Sequence, residues 1–244
     1  MTYELIAVVL IGALVGGMVN GLTGFGYGLT AIGIWLYAVP PISAATLVLT
    51  CSVVSHILTF PMIRRSIVWK QVLPFVLPGL IGVPIGTWLL PHVDPRAFKV
   101  GVGFLLAGYS GYALVRPPLT GSDIGGKAAD WAVGFGGGVI GGLSGLSGAL
   151  PVIWSDIRAW GKEQRRTVLQ TFNFAILTFS LVSHAATGLI TPFVMLATAA
   201  ALPGTVAGAS LGAFIYRRLG DRGYQRIVMV LLFLSGLLLL WTSW

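Results

Sequence analysis

Long apolar runs, interrupted by short polar clusters, organise this chain. No Asp, Glu, Lys or Arg occurs between Glu4 and Arg64, and none between Arg166 and Arg217. A membrane crossing takes about 20 residues, so each gap holds at least two spans. The pattern predicts a glycine-broken apolar stretch over 4–38, then spans near 42–62, 71–90 and 98–115. It then repeats, with a broken stretch over 131–157 and spans near 167–186, 191–215 and 225–243. The centres of the broken stretches, 20–28 and 141–148, are too rich in glycine for a mid-helix position, where each glycine costs about 1 kcal/mol relative to alanine.

The two halves resemble each other. At an offset of 121, Gly21, Leu22, Thr23, Gly24 and Leu29 align with Gly142, Leu143, Ser144, Gly145 and Leu150. Thr46 then falls on Thr167 and Thr50 on Thr171, while Pro78-Gly79 matches Pro203-Gly204. An ordered series of matches points to duplication. The expected organisation is a first repeat over 1–115, a cytoplasmic linker over 116–130 (RPPLTGSDIGGKAAD) and a second repeat over 131–244.

Composition agrees with a membrane protein: 56% of the 244 residues are hydrophobic, 9% are charged and 34 are glycine. A soluble domain carries about 25% charged residues. The single cysteine, Cys51, excludes a disulfide scaffold. The net charge of +8 comes from short basic clusters between apolar runs, which suit cytoplasmic loops beside anionic lipid and argue against nucleic acid.

Charge placement selects a topology. If each broken stretch crosses once, eight spans result, and the better orientation leaves 10 Lys/Arg inside and 5 outside. If each turns back, only Arg96 and Lys99 of the 15 remain outside. Positive-inside bias favours the second arrangement. Three full spans per half then set the halves in opposite orientations with both termini outside. The expected fold is an all-α polytopic membrane protein of two inverted repeats, each a glycine-broken re-entrant helical hairpin plus three transmembrane helices.

Inverted repeats with broken helices are a construction of secondary transporters, which hold substrate where the breaks meet. The returning arms, about 28–38 and 149–157, begin directly after the glycine-rich turns. Their unpaired N–H groups and positive dipole ends point to an anion site. The charge-free runs place no lysine or arginine near it. Contacts are expected from backbone N–H groups across Gly24, Phe25 and Gly26 and across Gly145, Leu146 and Ser147. The Thr23 and Ser144 hydroxyls assist, flanked by Asn20 and Tyr27.

In the span after the second turn, Gln170, Thr171 and Asn173 form a polar stripe, with Gln170 and Asn173 candidates for the cavity. His56 lies at membrane depth, where it suits proton coupling or compensation of the anion's charge. Asp156 and Arg158 are expected to pair with each other, and Arg64, Arg65, Arg165 and Arg166 to mark the cytoplasmic face. Cys51, His56, His92 and His184 lack the spacing of a metal site, so neither metal nor cofactor is expected.

The strings GLTGFGYG over 21–28 and GLSGLSG over 142–148, at the front of two halves, resemble the sulfite exporter TauE/SafE family across essentially the whole chain. The resemblance implies an export or exchange carrier for sulfite, sulfoacetate or a related sulfonate in the bacterial inner membrane. The implied partners are the small anion and the lipid bilayer, with a homodimer admitted. The second arm has Ala149 and Pro151 where the first has Gly28 and Thr30, so the arms need not contribute equally. Two other readings are weighed: an anion channel, and a rhomboid-like intramembrane serine protease using Ser147 and His184.

Overall fold

The structure is a computed structural model describing residues 2–89, 92–116 and 124–241, with the side chains of Pro95, Phe98, Lys99 and Ser144 outside the described part. Ten α-helices run through it: α1 (Tyr3–Thr23), α2 (Tyr27–Trp35), α3 (Pro41–Thr59), α4 (Trp69–Leu89), α5 (Pro95–Val115), α6 (Gly126–Ser144), α7 (Ala149–Ile157), α8 (Lys162–Ala186), α9 (Pro192–Arg218) and α10 (Asp221–Trp241). No strand occurs among the described residues. Among the described residues, six helical segments are long and apolar enough to cross a membrane: α1, α3 with the short turn after it, α4, α8, α9 and α10. α2 and α7 have nine residues each, about 13 Å at 1.5 Å per residue, or half a bilayer core.

Local chemistry fixes the helix ends. α1 starts at Thr2, whose Oγ1 accepts from the Leu5 N–H at 3.4 Å, with Glu4 in the positive first turn. It stops at Gly24, which sits at φ 79° with its N–H on the Asn20 carbonyl at 2.7 Å. Gly145 closes α6 in the same manner at φ 73°. α6 begins at Gly126, inside the stretch read from sequence as linker, with Gly125 as its cap at φ 78°, and its Asp130 accepts from the Trp154 indole N–H at 2.7 Å. Most of that linker, 117–123, lies outside the described residues.

After each break the chain folds back on itself. Along α1, Gly16 faces Ala31 and Tyr27, and Gly12 faces Trp35, whose indole donates to the Val9 carbonyl at 3.1 Å. Along α6, Gly136 faces Leu150, and Trp154 reaches Asp130. α2 and α7 are therefore antiparallel to the helices they follow.

Glycine stripes bring the two halves together. In α9, a methyl group added at Gly204, Gly208 or Gly212 would strike the carbonyl oxygens of Leu10, Leu14 or Met18 in α1. In α6, Gly134, Gly138 and Gly142 meet the Phe75, Gly79 and Val83 carbonyls of α4 in the same way. Both series advance four residues for four, so α1 runs parallel to α9 and α6 parallel to α4. Such backbone approach is how membrane helices pack tightly without a hydrophobic drive between them. α5 lies against α10, and α3 against α8.

Candidate functional site

The two breaks meet in the interior. Gly148 lies against the Phe25 side chain and Gly28 faces the Gly145 carbonyl. Phe25 and Leu146, at the tips of the breaks, share one apolar cluster with Leu106 of α5 and Val228 and Leu232 of α10. Between the breaks is a cavity of ≈ 20 Å³ bounded by both turns and by Asn20, His56, Asn173 and Leu177. One water needs roughly 10–15 Å³, so the closed site fits a water-sized group and no more.

The first turn places residues with unspent backbone donors on the wall of this space. A helix leaves its first four N–H groups without intrahelical acceptors. In α2 these belong to Gly26, Tyr27, Gly28 and Leu29, and all four residues line the cavity. No side chain caps them. Gly26 reaches this arrangement at φ 85°, a left-handed conformation that glycine adopts freely. The second turn gives less: the Ala149 N–H is spent on the Leu146 carbonyl at 3.2 Å, Pro151 has no N–H, and Gly148 is the α7 cap residue on the cavity wall.

The candidate side chains divide into two groups. Asn20 donates through Nδ2 to Ser55 Oγ at 2.9 Å, and its buried Oδ1 has no partner. His56 is fully buried on the cavity wall, with both ring nitrogens unpartnered. Asn173 accepts the Ser147 hydroxyl at 2.6 Å and donates to the Leu169 carbonyl at 2.8 Å. Tyr27 lines the cavity, and its phenol pairs with Thr205 Oγ1 at 2.8 Å.

Thr23, Gly24, Gln170 and Ser147 stand back from the cavity wall. Thr23 Oγ1 is engaged within its own turn, near the Val19 and Phe25 carbonyls at 2.8 and 2.6 Å and the Phe25 N–H at 3.2 Å. Gly24 packs under Gln170 and Arg166. Gln170 donates to Thr59 at 2.9 Å and accepts from Arg166 Nε at 3.2 Å. Ser147 is reached only through Asn173, and the Ser144 side chain lies outside the described part.

Two sequence expectations about charge are corrected. Arg166, read as a marker of the cytoplasmic face, is fully buried at the first break. Its guanidinium donates to the Gly21 and Leu22 carbonyls at 2.7 and 3.0 Å and lies 3.9 Å over the Tyr216 ring. The centre is therefore not free of basic side chains. Its signal was in the sequence: Arg166, Gln170 and Asn173 fall on one helical face at i, i+4 and i+7.

Asp156 and Arg158 also do not pair. The Asp156 carboxylate, on the last turn of α7, takes Arg116 at 2.5 Å, Tyr109 and Gln225 at 2.7 Å and Arg165 at 3.3 Å. Arg158 instead donates to the Ile124 carbonyl at 2.9 Å and lies 3.7 Å from Asp130. A proteolytic dyad is not formed either. Ser147 donates to Asn173, and His184 Nδ1 is 3.1 Å from Thr46 Oγ1.

Long apolar helices, paired through glycine and enclosing a polar cavity between two helix breaks, define a multi-pass membrane protein of the transporter class. The chain belongs to the sulfite exporter TauE/SafE family, whose model matches residues 8–239. Comparison with curated proteins and with solved structures gives no match.

Proposed function

We propose that the chain exports a small sulfur-containing anion, such as sulfite, sulfoacetate or a related sulfonate, holding it between the two helix breaks. The observation that carries this is that the four residues whose amides open α2 all line one cavity, with no carboxylate in its wall among the described residues. Amides at a helix start favour oxyanions. Arg166, which closes the negative end of α1 beside this turn, keeps the field there positive.

In this reading, residues 1–115 and 131–244 are inverted repeats, each with a re-entrant hairpin: α1–α2 and α6–α7. The exchanged parallel pairs, α1 with α9 and α4 with α6, support it, since inversion turns one pair into the other. A cavity of ≈ 20 Å³ is too small for a sulfonate, so the breaks must part to admit it. That favours alternating access over an open channel. The protein acts in the bacterial inner membrane with both termini outside, and carries out no covalent chemistry on its cargo.

The test is a thermal-shift and binding screen of the purified protein against sulfite, sulfate, sulfoacetate, acetate and chloride. Sulfur oxyanions are expected to stabilise it, and Asn173→Ala is expected to weaken the effect. No stabilisation by any of these anions, or an effect untouched by substitutions in the cavity wall, defeats the proposal.

A further inference from the structure

His56 is the one ionisable side chain on the cavity wall whose polar atoms are both idle. The ring is fully buried on α3, beside the Phe174 ring at 6.0 Å between centroids, and neither nitrogen has a partner. Buried polar atoms are normally paired, and idle ones cost free energy that a ligand can return. The Asn20 Oδ1 atom, from α1, is in the same condition on the same wall.

The chemistry of the ring restricts what can pair with it. A neutral imidazole offers one donor and one acceptor, whereas the imidazolium offers two donors. An oxyanion only accepts. It can therefore satisfy both ring nitrogens only when the ring is protonated.

The groups around His56 tie that proton to the anion. From α8, Arg166 is tied through Gln170 to Thr59, one turn along α3 from His56, and Asn173 shares the wall. From α2, the Tyr27 phenol is held by Thr205. Among the described residues, no Asp or Glu lines the cavity to balance an imidazolium. With the cavity empty, a second buried positive charge near Arg166 has no counter-ion. With an anion between the breaks, it has one. Leu177, at the offset of 121 from His56, also lines the cavity, so the second half brings no second titratable ring.

We infer that His56 takes up a proton when the anion binds, so that each anion crosses the membrane together with about one proton. This rests on the anion site proposed above and adds the coupling ion to it.

The experiment is isothermal titration of the purified full chain with sulfate and with methanesulfonate, neither of which gains or loses protons near neutral pH. Titrations in two buffers of different ionisation enthalpy count protons taken up. The expected result is about one proton per anion, with affinity rising by up to about tenfold per unit fall in pH. His56→Gln is expected to bind the same anions more weakly, with no proton uptake and a flat pH profile. Binding by the wild-type chain without proton uptake overturns the inference and leaves the anion site standing. Unchanged uptake in His56→Gln does the same. Failure of the wild-type chain to bind either anion overturns both. The wild-type proton count decides even if His56→Gln does not fold.

Discussion

The Arg166 guanidinium donates to the Gly21 carbonyl at 2.7 Å, joining the start of α8 to the end of α1 across 145 positions of sequence. A helix end leaves four carbonyls without partners, and here a buried cation takes two of them. It also meets the negative end of the α1 dipole. The first break is thereby fixed in place by a side chain outside it.

Arg166→Ala is therefore expected to leave the Gly21 and Leu22 carbonyls unsatisfied, costing roughly 2–4 kcal/mol. Arg166→Lys keeps the charge but loses the fork and the stacking on Tyr216, and is expected to recover only part of the loss. Thermal unfolding in detergent reads both. Wild-type stability in Arg166→Ala refutes the role.

Much of this architecture was legible in the sequence, because charge-free runs and glycine clusters set span lengths and breaks directly. The breaks expected at 20–28 and 141–148 contain Gly24-Phe25-Gly26 and Gly145–Gly148. What was not legible was depth. Arg165 and Arg166 end a polar cluster, and only the tertiary packing of α8 buries them, Arg166 beside the first break and Arg165 against the end of α7. The hydroxyl of Thr23 was equally opaque, since residue type does not say whether it bonds a ligand or its own turn.

Ser147 tests the proteolytic reading. Its hydroxyl donates to Asn173 and His184 is engaged with Thr46, so neither activates the other. Ser147→Ala is expected to retain transport with affinity lowered by about 0.5–1.5 kcal/mol. Serine-directed probes are expected not to label the wild-type protein. Stoichiometric labelling at Ser147 contradicts this account.

The glycine stripes make a graded prediction. Gly208 and Gly212 have α1 backbone against them, and a side chain there must separate α1 from α9. Gly208→Leu and Gly212→Leu are expected to destabilise or abolish folding, beyond the 1–3 kcal/mol usual for overpacking. Gly101 and Gly108 on α5 have open space around them. Alanine at these positions is expected to be neutral or to stabilise by about 0.5–1 kcal/mol. Equal tolerance at all four positions, read by thermal unfolding, argues against the packing described.

The proposed topology sets membrane sidedness. In a Cys51→Ala background, Thr2→Cys is expected to be labelled from outside and Arg65→Cys from the cytoplasm, since in that topology the α1–α2 hairpin returns and α3 crosses. An impermeant thiol reagent applied to intact cells distinguishes them. Labelling of both from one side rules out the proposed topology.

The Asp156 carboxylate supplies the last test, because it joins the returning arm to three other helices. It receives Tyr109 from α5, Arg165 from α8 and Gln225 from α10, along with Arg116 just beyond α5. It is shielded from solvent and shared by two guanidinium groups, and Arg165 has Nε and Nη1 buried without partners. Its charge therefore offsets that of buried Arg165 and part of that of Arg116. Asp156→Asn keeps the shape and removes that charge, and is expected to cost about 3–5 kcal/mol. Arg165→Met removes one of the cations left uncompensated. Combined with Asp156→Asn, it is expected to cost less than the two single changes together, by about 0.5–3 kcal/mol. Strict additivity in a double-mutant cycle means that Asp156 and Arg165 are not coupled, and that the arm is anchored by Tyr109, Gln225 and Arg116 instead.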